Sequence, residues 1–363
     1  MTMPQRPVVL AWYGCDLASG QIIEELRSIT VSQPLTGKLC ASSTSLVSLA
    51  LDGAPRGWEA ATQQGRTMLV AVDTLTGKPI GAWLTLTRAG GSDPAVDLGL
   101  VSPEGYFDRR YTGTYTGADD QAAILTGTGA ALMVSAPPFV FDAQATGTSQ
   151  TYSVSDGDDR TVLSVWQEIT DAGGPEWTVG CRWNSTNTGF VLPVLIRPRV
   201  GTITSTPDPV FDLPGCISQY TLTESYETGK GATRVTEYGT GEGVSRLRSD
   251  ILTADDLIAA GYCLFEYRGT PADAATDPVQ LTATARTDLA AMRTGSAVWA
   301  VTATASQAPR LGRDFGLGDS IGVQVRTSPR HPDGASTVAR CWSWTLDPGA
   351  DQISPILVED DDT

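Results

Sequence analysis

Histidine is nearly missing from this chain: His331 is the single one among 363 residues. A zinc site therefore lacks its commonest ligand, and a Ser-His-Asp triad would have to form around His331. That residue lies in the turn-rich stretch Ser328 to Gly334, with no G-x-S-x-G elbow in the chain, and reads as an exposed loop residue. The six cysteines, Cys15, Cys40, Cys181, Cys216, Cys263 and Cys341, stand far apart with no C-x-x-C pair. They read mostly as buried thiols rather than as a metal or redox motif. Positive charge is also scarce, with 25 basic against 41 acidic residues and a net charge of −16. Such a field repels nucleic-acid phosphates. No apolar run approaches the roughly 20 residues that span a bilayer, so no membrane segment is expected. The start MTMPQRPVVLAWYG has no basic region followed by an apolar core and cleavage site. Synthesis in the cytoplasm is the expectation.

What the chain does have is glycine (38), proline (22) and 41% hydrophobic residues, with only 18% charged. That balance favours many strands and turns over long helices, and the length suits two or three domains. The clearest pattern runs from Leu317 to Leu346. Ile321, Val323 and Val325 alternate with polar or small neighbours. Val338, Trp342, Trp344 and Leu346 then share one face, with Arg340 as the polar exception. A pair of antiparallel strands joined by an exposed loop is expected here.

Earlier, Thr67–Asp73 and Ile80–Thr87 predict a hairpin, with further strands near Ile29–Val31 and Leu46–Leu51, enough to close a small barrel. The glycine- and proline-rich stretch 89–105 suggests a hinge. Acidic residues ahead of apolar runs predict helices from about Gly117 to Leu125 and from Asp158 to Gly173. Strands follow at 176–183, 189–196, 218–226 and 233–238. Asp277-Pro278 is read as a helix start, with Leu281, Ala285, Leu289 and Met292 on one face packing on a final barrel. The end of the chain, Val358–Thr363, reads as a frayed acidic tail.

Motifs that suggest enzymes weaken on inspection. Gly229-Lys230-Gly231 lacks the glycine and the hydroxyl residue of a P-loop, Gly127-Thr128-Gly129 lacks the third glycine of a dinucleotide turn, and 239–243 is turn material. Asp119 with Asp120, and Asp156 with Asp158 and Asp159, could supply two carboxylates to a glycosidase, but each set precedes a short helix, where acidic residues already have a structural role. Trp83, Trp183, Trp342 and Trp344 fall in strand patterns that favour core packing over sugar stacking, while Trp12 and Trp58 are less constrained. No catalytic, cofactor-binding or metal-binding residue emerges.

The order of features resembles the minor tail proteins of long-tailed phages of Actinobacteria, specifically the baseplate hub at the tail tip. The matching stretches are Gly20–Leu26, Trp58-Glu59 leading to Gly77–Ile80, Tyr115–Gln121 and Asp159–Leu163 running into Gly174–Val179. Thr236–Gly243, Leu317–Asp319 with Arg326–Arg330, and Ile353–Leu357 complete them. This resemblance implies a mainly β fold with α+β parts: two small β-barrels, 1–100 and 216–350, flanking a central α/β region, 101–215, with an acidic tail, 351–363. Strands after Cys216 could instead return to the first barrel. It also implies a non-enzymatic homotrimer, without cofactor, in the virion. Its pseudo-sixfold ring would close the tail tube and join a sixfold tail to a threefold tip. Its partners would be the distal tail ring protein, the tape measure protein and other minor tail or receptor-binding proteins, and genome DNA would pass without specific binding. The alternatives are a cell-wall glycan hydrolase using Asp156 to Asp159 with a tryptophan platform, and a glycan-binding adhesin.

Overall fold

The computed structural model describes residues 6–239, 241, 243–269 and 278–359. It is mostly β with few helices, in two compact units: 1–220 with 301–356, and 221–300 with 357–363.

In the first unit the chain begins with β1 (Leu10–Asp16), β2 (Ile22–Glu25), β3 (Ile29–Gln33), β4 (Leu35–Lys38) and β5 (Thr44–Ala50). A short helix α1 (Trp58–Ala61) precedes β6 (Thr67–Asp73), β7 (Pro79–Gly90) and β8 (Ala95–Val101). Seven of these strands form an antiparallel sheet in the order β2-β1-β6-β7-β8-β5-β3. The expected hairpin is present, Met68 opposite Leu84, with Gly77 at φ +68° in its turn. The stretch 89–105 corrects the hinge reading. Its Gly-Gly-Ser-Asp-Pro is only a turn, and Val96, Leu98 and Leu100 alternate as the buried face of β8, which sits between β7 and β5.

The α/β part of this unit contains β9 (Tyr115–Asp120), α2 (Gln121–Thr128), β10 (Phe139–Ala143), β11 (Ser149–Val154), α3 (Val162–Asp171), β12 (Glu176–Val179), β13 (Arg182–Trp183) and β14 (Phe190–Arg197). Both helices start later than expected. Asp120 caps α2 at the end of a strand, and Thr161 rather than Asp158 caps α3, because Asp159 is in the left-handed conformation at φ +50° and breaks the run. The apolar face of α3, Leu163, Trp166 and Ile169, is buried as its spacing requires. Trp166 meets Trp177 at 5.3 Å and Phe107 at 5.2 Å in the core between helices and sheet, and its Nε1 donates to Thr128 Oγ1.

The remaining strands are β15 (Val210–Leu213), β16 (Ile217–Ser225), β17 (Arg234–Thr236), β18 (Leu252–Thr253), β19 (Glu266–Arg268), β20 (Ser296–Thr304), β21 (Ser320–Val325), β22 (Ala335–Asp347) and β23 (Gln352–Glu359), with helices α4 (Asp255–Ala259) and α5 (Pro278–Met292). A second seven-stranded sheet has the order β15-β21-β22-β23-β20-β16, with β4 added against β22. Hence β16, which follows Cys216, joins this sheet rather than the first. The expected antiparallel pair is β21 and β22, Ile321 opposite Ala339. Trp342 departs from its expected face and is 40% exposed, whereas Trp344 is buried over Gly37 of β4. Val358 and Glu359, read as frayed, belong to β23, and Trp299 Nε1 donates to Glu359 Oε1.

The second unit holds a small sheet, β18-β17-β19. Helix α5 packs its Ala285, Leu289 and Met292 against Ala232, Val235 and Tyr267 there, not on a barrel, since the helix has its own partner strands. Asp277, read as its cap, lies outside the described residues.

Candidate functional site

Two buried ion pairs tie distant parts of the sequence together in the first unit. The Arg310 guanidinium donates to both carboxylate oxygens of Asp73 at 2.7 and 2.8 Å and to the carbonyl of Arg6 at 2.6 Å, and both side chains are almost wholly buried. Burial works to raise the Asp73 carboxyl, but Arg310 and the Leu75 amide outweigh it and hold it below the ordinary carboxylate value. Arg340, the polar exception of β22, donates to both oxygens of Glu176 at 2.6 and 2.8 Å and to the carbonyls of Val200 and Gly318. It is an interior clamp between β22 and β12.

The same unit holds a pocket of about 330 Å³. Lys38, Trp83, Glu104, Cys181, Asp319 and Trp344 are among its walls. Glu104 follows Pro103 at a 3-10 turn and is 4% exposed; its Oε1 accepts the Val179 amide at 3.0 Å. Burial pushes its carboxyl up to about 7. Asp319 holds the Thr202 and Gly316 amides, so both acids serve the backbone. The buried thiols are inert as nucleophiles: burial pushes Cys15 and Cys40 up to about 12.

The candidates raised by the sequence do not converge. The Asp120 carboxylate accepts from the amides of Ala122, Thr146 and Gly147 and the hydroxyl of Thr146. Asp158 accepts from the Ser155 amide in a capping box. Each set is thus occupied with local structure, as its position before a turn or helix suggested. His331 is half-buried rather than exposed. It stacks on Tyr220 with centroids 6.1 Å apart, and its amide donates to Ser328 Oγ, which also bonds the Tyr220 hydroxyl at 2.6 Å. Of the tryptophans, Trp12, Trp83 and Trp344 are buried. Trp183 packs on Phe190 with ring centroids 4.2 Å apart, and Arg88 covers Trp58. No aromatic platform results from these.

Sequence reading missed a carboxyl pair in the second unit. Glu237, just after β17 and 4% exposed, faces Asp288 of α5. Burial, then the hydrogen bond and the charge of Asp288, push Glu237 up to about 7, and burial raises Asp288 too. Nothing local in the sequence links positions 237 and 288.

No protein-family model matches the chain, and no curated protein matches it by sequence. Solved structures do match it in fold. A tail protein from Neisseria meningitidis superposes with a TM-score of 0.61 at 10% identity, covering 98% of this chain and 97% of that one. Prophage tail protein gp18 from Listeria monocytogenes gives 0.58 at 10% identity, covering 98% and 95%. The 43 kDa tail protein of prophage MuSo2 from Shewanella oneidensis gives 0.60 at 8% identity, covering 96% and 98%. End to end, the fold is that of these phage tail proteins.

Proposed function

We propose that the chain is a structural phage tail protein: a baseplate hub that forms a homotrimeric ring at the tail tip of a long-tailed phage. The observation that carries this reading is the fold likeness to three phage tail proteins over nearly the full length of both chains. Two seven-stranded sheets per subunit support it. Three copies present six such sheets, a repeat suited to joining a sixfold tail to a threefold tip. In this reading residues 1–100 and 216–350 supply the paired barrels and 101–215 the part between. The distal tail ring, tape measure and receptor-binding proteins are its neighbours, in a phage of Actinobacteria. It acts by closing the tube and carrying other subunits, with no catalytic step.

Light scattering on the purified protein, followed by electron microscopy of the same sample, tests this. A mass near three times 38.2 kDa with threefold particles is expected. A protein that stays monomeric both alone and with a tail ring protein overturns the hub.

A further inference from the structure

We infer that the face of the second unit around Tyr238 is a docking site for an acidic polypeptide segment, held by the guanidinium groups of Arg246 and Arg268. Both groups lie against one ring: Arg246 at 4.4 Å and Arg268 at 5.7 Å from the Tyr238 centroid. Two like charges packed on one tyrosine repel each other, and the face of a phenol ring offsets only part of that repulsion. Arg248 adds a third charge, as Tyr238 bridges it in an antiparallel pair.

The contrast with neighbouring cations is what points outward. Lys230 pairs with Glu227, Arg234 with Glu266 and Arg293 with Asp256. Arg246, Arg248 and Arg268 pair with no carboxylate among the described residues, in a chain with 41 acidic residues to draw on. The adjacent Glu237 does not neutralise them, because its carboxyl is turned to Asp288. Arg246 is nevertheless positioned: its Nε donates to the Gly239 carbonyl at 3.2 Å, which leaves its terminal nitrogens to a partner. Arg268 and Arg248 are exposed. Planar guanidiniums stacked on an aromatic ring present a fork that fits a carboxylate with two bonds.

A carboxylate partner is favoured over a phosphate polymer by the rest of the molecule. Net −16 repels a polyanion that must lie along the surface, while a short acidic segment needs only this local positive patch. These arginines form the site whether or not the chain is a tail hub.

The test uses the full chain and a fluorescent peptide of eight glutamates, with binding followed by anisotropy at low and high salt. Binding that weakens with salt, and by about tenfold or more in Arg268→Gln, is expected from the loss of one charge-assisted contact. The Arg268 side chain makes no hydrogen bond among the described residues, and its strand pairing with Thr236 uses the backbone alone, so its replacement leaves the fold in place; Arg246→Gln combined with it removes binding. Absence of peptide binding, or equal binding by both variants, overturns the inference. So does a single-stranded oligonucleotide of equal charge that binds more tightly than the peptide, which would make the site one for phosphates.

Discussion

Asp73 and Arg310 stand 237 positions apart in the sequence and meet with almost no exposure. Removing one member of a buried pair leaves an uncompensated charge, so Asp73→Ala is expected to lower stability by about 3–5 kcal/mol, measured by urea unfolding. Asp73→Asn with Arg310→Met should recover much of that loss, because the charge disappears with its partner. The raised acids give a pH dependence of definite sign. Glu104 and Glu237 have folded values near 7 against an ordinary 4.5. The folded protein therefore binds more protons than the unfolded one between those values. Their contribution to stability is full below about 4.5 and is lost as pH rises through about 7. Thermal unfolding from pH 4.5 to 7.5 should show this fall, and Glu104→Gln should flatten part of it; an unchanged slope in that variant would remove Glu104 as a cause.

Among elements, those with a strong period were legible: the hairpin of β6 and β7, the pair β21 and β22, the buried face of α3 and the stripe of α5. What the stripe of α5 packs on was not, because a helix face carries no address for its partner. Strand β8 was hidden by glycine, aspartate and proline beside a clean alternation of Val96, Leu98 and Leu100. Clamps and carboxyl pairs were illegible for a simpler reason: Arg340 with Glu176, and Glu237 with Asp288, are brought together only by the fold. One junction between elements makes a sharp prediction. Gly201 (φ +92°) and Gly318 (φ +83°) cross so closely that a β-carbon on either would enter the backbone of the other's loop. Alanine at Gly318 should cost about 1–3 kcal/mol from strain at positive φ, and more where the crossing cannot open. Thr161→Ala, which removes the α3 cap and the hydroxyl's bond to Asp108, should cost about 1 kcal/mol by the same unfolding measurement.

For the whole molecule, the charge balance constrains how the proposed ring would meet DNA. Each subunit carries −16, so a ring of three would carry about three times that charge around any strand of DNA in its lumen. Binding of DNA requires neutralising several phosphates with release of their counterions, a gain that is greatest at low salt. The three arginines around Tyr238 are too few and too local to reverse the field over a duplex. The expected result is no mobility shift of a 30-base-pair duplex by micromolar protein at about 50 mM salt, the condition that most favours binding. A shift there, lost at higher salt, would mean that a basic surface dominates the molecule's encounter with DNA, and a passive channel would no longer describe it. If the shift disappeared in Arg268→Gln, the surface responsible would be the Tyr238 face and the acidic body of the protein would still repel the genome.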